Sequence, residues 1–202
     1  MKRVLIYGDS NVWGSTEYDE HGRLETDQRW AGMLPELLGE DYEVVAEGYP
    51  GRCAGSIQDA REQDKDYDGR EHYEVIFKSA TPVDLVIIAL GTNDLKRGYD
   101  RTPEMIADDL MWYEGRTRYM EDYNGKMPKF LYVLPPRVES QVGWFEMDEG
   151  ARERLVAEMK ARVPDDYVDL DTVSLTGDGV HFAVAGHVDV ARRVADKVRE
   201  ML

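Results

Sequence analysis

Five short runs of β-branched and aliphatic residues, at 4–7, 42–46, 84–90, 130–134 and 167–170, alternate with segments whose apolar residues recur at helical intervals. The runs are continuous and do not alternate with polar residues, which is the signature of strands buried on both faces. Strands interleaved with helices imply a parallel sheet with helices packed on each side. The pattern predicts an α/β fold, a flavodoxin-like three-layer α/β/α sandwich whose five-stranded parallel sheet runs in the order 2-1-3-4-5. Sheets of this kind bind their ligands at the carboxyl ends of the strands.

The helix signals agree with this scheme. Residues 30–38 carry a helix that Gly39 stops. Thr102-Pro103-Glu104 opens another with an N-cap, a first-turn proline and an acid at the positive end of the dipole. Met105, Ile106, Leu110 and Tyr113 supply its apolar face. In the last helix Ala191, Val194, Ala195, Val198, Met201 and Leu202 form one stripe. Residues 17–29 read as a polar rim or contact loop, and the mixed charges of 56–70 as a solvated stretch. With 202 residues, 42% of them hydrophobic, and no repeat or linker, a single domain over 1–202 is expected.

Charge narrows the function. Asp and Glu number 41 against 25 Lys and Arg, a formal net charge of −16. Such a chain repels nucleic acid and anionic membranes, so neutral or cationic small molecules are the better partners. Cys53 is the single cysteine, which excludes an intramolecular disulfide and suits a reducing compartment. It has no neighbouring histidine or CxxC partner and reads as a small buried residue. The apolar runs are too short for a signal segment or a membrane span, so a cytoplasmic protein without stable membrane association is expected.

Four polar clusters follow the predicted strands: Gly8-Asp9-Ser10-Asn11, Gly48-Tyr49-Pro50-Gly51-Arg52, Gly91-Thr92-Asn93-Asp94, and Gly177-Asp178-Gly179-Val180-His181-Phe182. Each alone has an ordinary explanation as a turn or a cap. A parallel sheet, however, brings all four to one edge. Acyl transfer needs a serine activated by a base, and Ser10 with His181 can supply both. Asp178, three residues before His181, can hold the imidazole in the required tautomer. The Ser10 N–H, the Gly51 N–H and the Asn93 amide are candidate donors to an oxyanion. Of the other histidines, His187 reads as structural, and His21 and His72 as exposed. Asp178, His181 and His187 could be imagined as metal ligands, but neither an HExxH motif nor a cysteine cluster supports a metal. GxxxxGK[ST], GxGxxG and GxSxG are all absent, and no cofactor is called for.

Taken together, the four clusters resemble the SGNH (GDSL-type) hydrolases, whose blocks supply Ser, Gly, Asn and His in that order. Gly8-Asp9-Ser10 matches the first block, with Asn11 where the name-giving leucine usually stands. Gly51 stands for the glycine of the second block, Asn93 for the asparagine of the third, and Asp178 with His181 for the last. Arg29-Trp30, Glu47-Gly48, the run Leu90 to Lys96, Arg101-Thr102-Pro103 and Trp144-Phe145 are similar to the arylesterase and acyltransferase branch. The resemblance implies a flavodoxin-like fold and a metal-independent serine esterase that cleaves short-chain acyl esters and can pass the acyl group to alcohols. It also implies Ser10 as nucleophile, His181 as base and Asp178 as its orienting acid. Asp9, Asn11, Trp13, Trp144 and Phe145 are candidates to line the substrate pocket, and the polar stretch after the first block can line the pocket or a homo-oligomer contact. Carbohydrate O-acetyl esterase, lysophospholipase or thioesterase activities are alternatives, as is a binding domain without turnover.

Overall fold

The computed structural model describes residues 1–16, 22–57, 66–139 and 145–202. Strand β1 (Lys2–Gly8) leads into a single helical turn, α1 (Ser10–Trp13), then α2 (Trp30–Leu38), β2 (Tyr42–Gly48) and α3 (Gly69–Ala80). β3 (Leu85–Ala89), α4 (Pro103–Arg118), the short α5 (Glu121–Asn124) and β4 (Lys129–Leu134) follow, and α6 (Ala151–Arg162), β5 (Tyr167–Asp169) and α7 (Val184–Met201) complete the chain. The strands form one sheet in the order β2-β1-β3-β4-β5, and every pair is parallel. Among the described residues no helix is long and apolar enough to cross a membrane.

The continuous apolar runs are what make this a three-layer structure. Successive side chains of a strand point to opposite faces, so an unbroken apolar strand must be covered twice. Leu5, Tyr7, Val86, Ile88 and Tyr132 pack with Tyr73 and Phe77 of α3, Ile106 and Leu110 of α4, and Leu155 and Met159 of α6. Val4, Ile6, Leu85, Ile87, Leu131 and Val133 pack on the other side with Leu34 of α2 and with Val190, Val194 and Val198 of α7.

Three helices lie where the sequence puts them. α2 ends at Gly39, whose φ of 86° is open to glycine. α4 starts at the Thr102 cap, where the hydroxyl accepts from the Met105 N–H at 3.3 Å. Met105 itself corrects the expected stripe: it is 51% exposed, and Ile106, Leu110 and Tyr113 carry the buried face. α3 and α6 went unsignalled because α3 opens inside the mixed-charge stretch and half of the residues of α6 are charged. α3 buries Gly69, Tyr73, Phe77 and Ala80, a stripe one residue wide per turn. At the end of the stretch 56–70, Asp68 and Arg70 are less solvated than expected, since Asp68 caps α3 and both enter ion pairs. Residues 58–65 of that stretch, and 17–21 with His21, lie outside the described residues. Within the rest of the polar rim, Thr26–Gln28 form a 3₁₀ turn. His72 is exposed, as expected, with its Nε2 3.1 Å from Asp66.

His187 joins the two helices on one face. Fully buried in α7, its Nδ1 accepts the first N–H of α2, from Trp30, at 3.3 Å. Burial, aided by the charges of Arg29 and His181, lowers its imidazole from 6.5 to about 4. In the unfolded chain the ring takes up its proton near pH 6.5, and in the folded one only near pH 4, so acid favours unfolding between these values. This stability is complete above the upper pH and is lost on the way to the lower. The shift corresponds to about 3 kcal/mol. Urea titrations of wild type and His187→Gln between pH 7 and 4 should therefore show their stability difference shrinking by roughly that amount. Parallel curves would disprove the linkage.

A second constraint is a close approach between α1 and β2. A Cβ on Gly48 would stand 2.3 Å from the Trp13 backbone nitrogen and 2.7 Å from its Cα. Neither atom can swing away. Gly48→Ala should cost about 1–3 kcal/mol in urea unfolding and displace α1, with an unchanged midpoint as the contrary result.

Candidate active site

Because β1 pairs with both β2 and β3, Gly8 lies level with Gly48 on one side and with Ala89 on the other. The loops that leave these strands therefore emerge together, and short polar contacts tie them. The Tyr49 N–H donates to the Gly8 carbonyl at 3.1 Å. The buried Arg52 guanidinium donates from Nη1 to the carbonyls of Gly8 and Glu47, each at 2.9 Å, and lies 4.1 Å from the centre of the Tyr7 ring. The Asn93 amide donates to the Arg52 carbonyl at 3.1 Å. Asp94, fully buried, accepts the Ala54 N–H on its two oxygens at 3.0 and 2.9 Å.

Ser10 opens α1. Asp9 caps this turn by accepting the Asn11 N–H at 2.9 Å, and Gly14 closes it with a φ of 89°. The Ser10 hydroxyl stands 3.2 Å from Nε2 of His181, and Nδ1 of the same ring lies 2.6 Å from Oδ2 of Asp178. The other oxygen of Asp178 accepts the N–H groups of Val180 and His181, at 2.8 and 2.9 Å, and the Thr176 hydroxyl at 2.8 Å. Partial burial works to raise this carboxyl, but the bonds from the His181 ring and from the two N–H groups outweigh it and hold Asp178 well below the usual carboxylate range. An ionised carboxylate on Nδ1 leaves Nε2 as the nitrogen free to accept a proton from a hydroxyl.

The other two carboxylates at this edge behave differently. Burial raises Asp9 and Asp94 to about 6 each, the former opposed by the Asn11 N–H and His181, the latter by Arg101. Arg101 pairs with Asp94 at 2.9 Å and also with Asp109, which Arg70 reaches at 2.7 Å. This buried network anchors the loop bearing Asn93. Arg101-Thr102-Pro103 and the run Leu90 to Lys96 stand in the sequence as motifs of the resemblance, but nothing local in the sequence pairs Arg101 with Asp94 and Asp109.

Gly51 sits in the turn closed by the Arg52 N–H on the Tyr49 carbonyl, at 3.1 Å. Its φ is 83°, and the Tyr67 ring occupies the place a Cβ would need, 2.4 Å away. A side chain is excluded on both counts. Among the described residues no group of three or more His, Cys, Asp or Glu is disposed to hold a metal ion.

The pocket candidates separate on burial. Asp9 and Asn11 are 2% and 5% exposed; Asp9 caps its own turn, and the Asn11 amide is committed to the backbone of Val180 and Phe182. They border a cavity of about 20 Å³ with Val12, Trp30, Thr92 and Phe182, room for a single water. Phe145 is a correction: its ring is fully buried with Val138 and Val180 beneath the His181 loop and offers no surface to a ligand. Trp13 is half-buried, with the Arg23 guanidinium 5.0 Å from the ring centre. Trp144 lies outside the described residues. Cys53 is buried, its thiol pushed up by that burial.

Comparison with known proteins gives the same outline. The profile of the GDSL-like lipase/acylhydrolase family matches residues 6–188. An aryl esterase from M. smegmatis superposes with a TM-score of 0.87 at 30% identity, over 100% of both chains. A carbohydrate acetylesterase from Sinorhizobium meliloti gives the same TM-score of 0.87, identity of 30% and full coverage of both chains. A lipase/acylhydrolase from Enterococcus faecalis shares the fold, with a TM-score of 0.72 at 18% identity over 99% of this chain and 96% of that one. No match was found among curated protein sequences.

Proposed function

Since the chain belongs to the GDSL-like lipase/acylhydrolase family and is a serine hydrolase with esterase chemistry, we propose that it cleaves short-chain acyl esters of small alcohols through an acyl-enzyme on Ser10. The observation that carries this reading is the line Ser10 Oγ, His181 ring, Asp178 carboxylate, with separations of 3.2 and 2.6 Å. Both lie within the reach required of a nucleophile, its base and the group that orients the base.

In the proposed reaction the Ser10 oxygen attacks the ester carbonyl while its proton passes to His181 Nε2. Asp178 stabilises the imidazolium through Nδ1–H and stays ionised, as its depressed acidity range requires. The Ser10 N–H, the Gly51 N–H and the Asn93 amide donate to the tetrahedral oxyanion. One hydrogen of the Asn93 amide is spent on the Arg52 carbonyl, which fixes the plane of the amide and leaves the other to donate. Collapse expels the alcohol, protonated by His181. Water then attacks the acyl-Ser10 ester by the same route in reverse, or an alcohol does so and receives the acyl group. The net charge of −16 favours uncharged or cationic esters at this edge. Carbohydrate acetyl esters are a second reading, supported by the likeness to the Sinorhizobium meliloti acetylesterase, which equals that to the aryl esterase.

Purified protein should release nitrophenol from p-nitrophenyl acetate, with a preference for acetyl over octanoyl esters. Ser10→Ala should be inactive, and an organophosphonate should add a single adduct at Ser10, located by mass spectrometry. Persisting turnover in Ser10→Ala would overturn the assignment. Asp178→Asn should fold and lose about 10³–10⁴ in kcat, and Asn93→Ala about 10²–10³.

A further inference from the structure

Asn11 stands where the resembling family carries its name-giving leucine, and its amide makes a pair of bonds that leucine cannot. Oδ1 accepts the Phe182 N–H at 2.9 Å, and Nδ2 donates to the Val180 carbonyl at 3.4 Å. These two backbone groups flank His181. The amide thus grips the chain on either side of the imidazole, while its own backbone N–H is held by Asp9 in the turn that begins with Ser10. These bonds and the Ser10–His181 contact link α1 to the loop bearing His181.

That loop is long, running from the end of β5 at Asp169 to the start of α7 at Val184. Its internal bonds make it stiff. The Thr176 N–H donates to the His181 carbonyl at 2.8 Å, the Ala183 N–H to the Ser174 carbonyl at 3.0 Å, and Asp178 takes two further N–H groups. None of these fixes the loop against α1. Phe182 and Val180 are buried in apolar clusters and the Glu139 N–H donates to the Gly179 carbonyl at 3.0 Å, which hold the loop down. Apolar packing is non-directional, however, and the Glu139 bond does not reach α1. A planar amide with one donor and one acceptor sets the register of the loop against α1 on two backbone groups at once.

We propose that Asn11 is a positioning residue, whose side chain sets the distance between Ser10 Oγ and His181 Nε2 by clamping the backbone around His181 to the nucleophile turn. The proposal rests on the assignment of Ser10 and His181 made above. A leucine at 11 would leave the Phe182 N–H and the Val180 carbonyl unpaired in a buried place and free the loop to shift. Misplacement of a reacting group by about 1 Å costs on the order of 10²-fold in rate.

The test compares wild type, Asn11→Leu, Asn11→Ala and Ser10→Ala with p-nitrophenyl acetate. Asn11→Leu should lower kcat by on the order of 10²-fold, leave KM within about twofold and slow phosphonate labelling of Ser10 in proportion, with cooperative thermal unfolding retained. Asn11→Ala removes both bonds without adding bulk and reads the same quantities should the leucine variant fail to fold. A kcat within about twofold of wild type in the folded variants, or a loss matched by a rise in KM, overturns the positioning role. Turnover in Ser10→Ala would instead remove the site assignment itself. An inactive Ser10→Ala beside fully active Asn11 variants would remove this proposal alone.

Discussion

The parallel register of β1 between β2 and β3 is the constraint on which the rest depends. Gly8, Gly48 and Ala89 end their strands at one level, so three loops leave the sheet side by side. Gly48 lets the α1 backbone lie directly against β2. The Arg52 guanidinium then bridges the ends of β1 and β2 through the carbonyls of Gly8 and Glu47. Asn93, bonded to the Arg52 carbonyl, brings in the third loop. Without that common level, residues more than eighty positions apart in sequence would not share one edge.

Electrostatics at this edge sorts three carboxylates by what surrounds them. Asp178 accepts from an imidazole, two backbone N–H groups and a hydroxyl, and is held ionised. Asp9 and Asp94 are more completely buried, and desolvation raises both to about 6. Asp9 adjoins Ser10 in sequence, yet its bond goes to the Asn11 N–H as a helix cap. Asp94 adjoins Asn93 and spends its oxygens on the Ala54 N–H and Arg101. Environments that push like groups apart give them separate tasks. One carboxylate faces the imidazole, and the other two build the loops.

Much of the architecture was legible in the chain. Continuous apolar runs gave five strands, of which β1, β3 and β4 are buried on both faces while the edge strands β2 and β5 are only partly covered. Gly39 and Thr102 marked helix ends that the structure places at those residues. α3 and α6 were not legible, because α3 opens inside a mixed-charge stretch and half of the residues of α6 are charged. Ser10, Asn93, Asp178 and His181 could be named because each is a reactive residue type in a turn after a strand. Arg52 and Arg101 stood in the sequence only as members of motifs, and their buried roles were not legible, since a buried arginine has no local pattern and its partners come from distant loops.

Asn11 shows the division most clearly. In the sequence it is a departure from leucine with no catalytic group to offer, and Phe145 is an aromatic residue available for a pocket wall. In the fold the Asn11 amide reaches backbone 169 residues away, and Phe145 disappears beneath the loop that carries His181. The sequence by itself determined the strands, the sheet they must form and the side chains able to do chemistry, because periodicity and residue type are local properties. Only the tertiary structure decided which carboxylate faces the imidazole, which glycine cannot bear a side chain and which amide links the turns bearing Ser10 and His181. Those outcomes depend on desolvation and hydrogen-bond direction, and both arise only when distant segments are brought into contact.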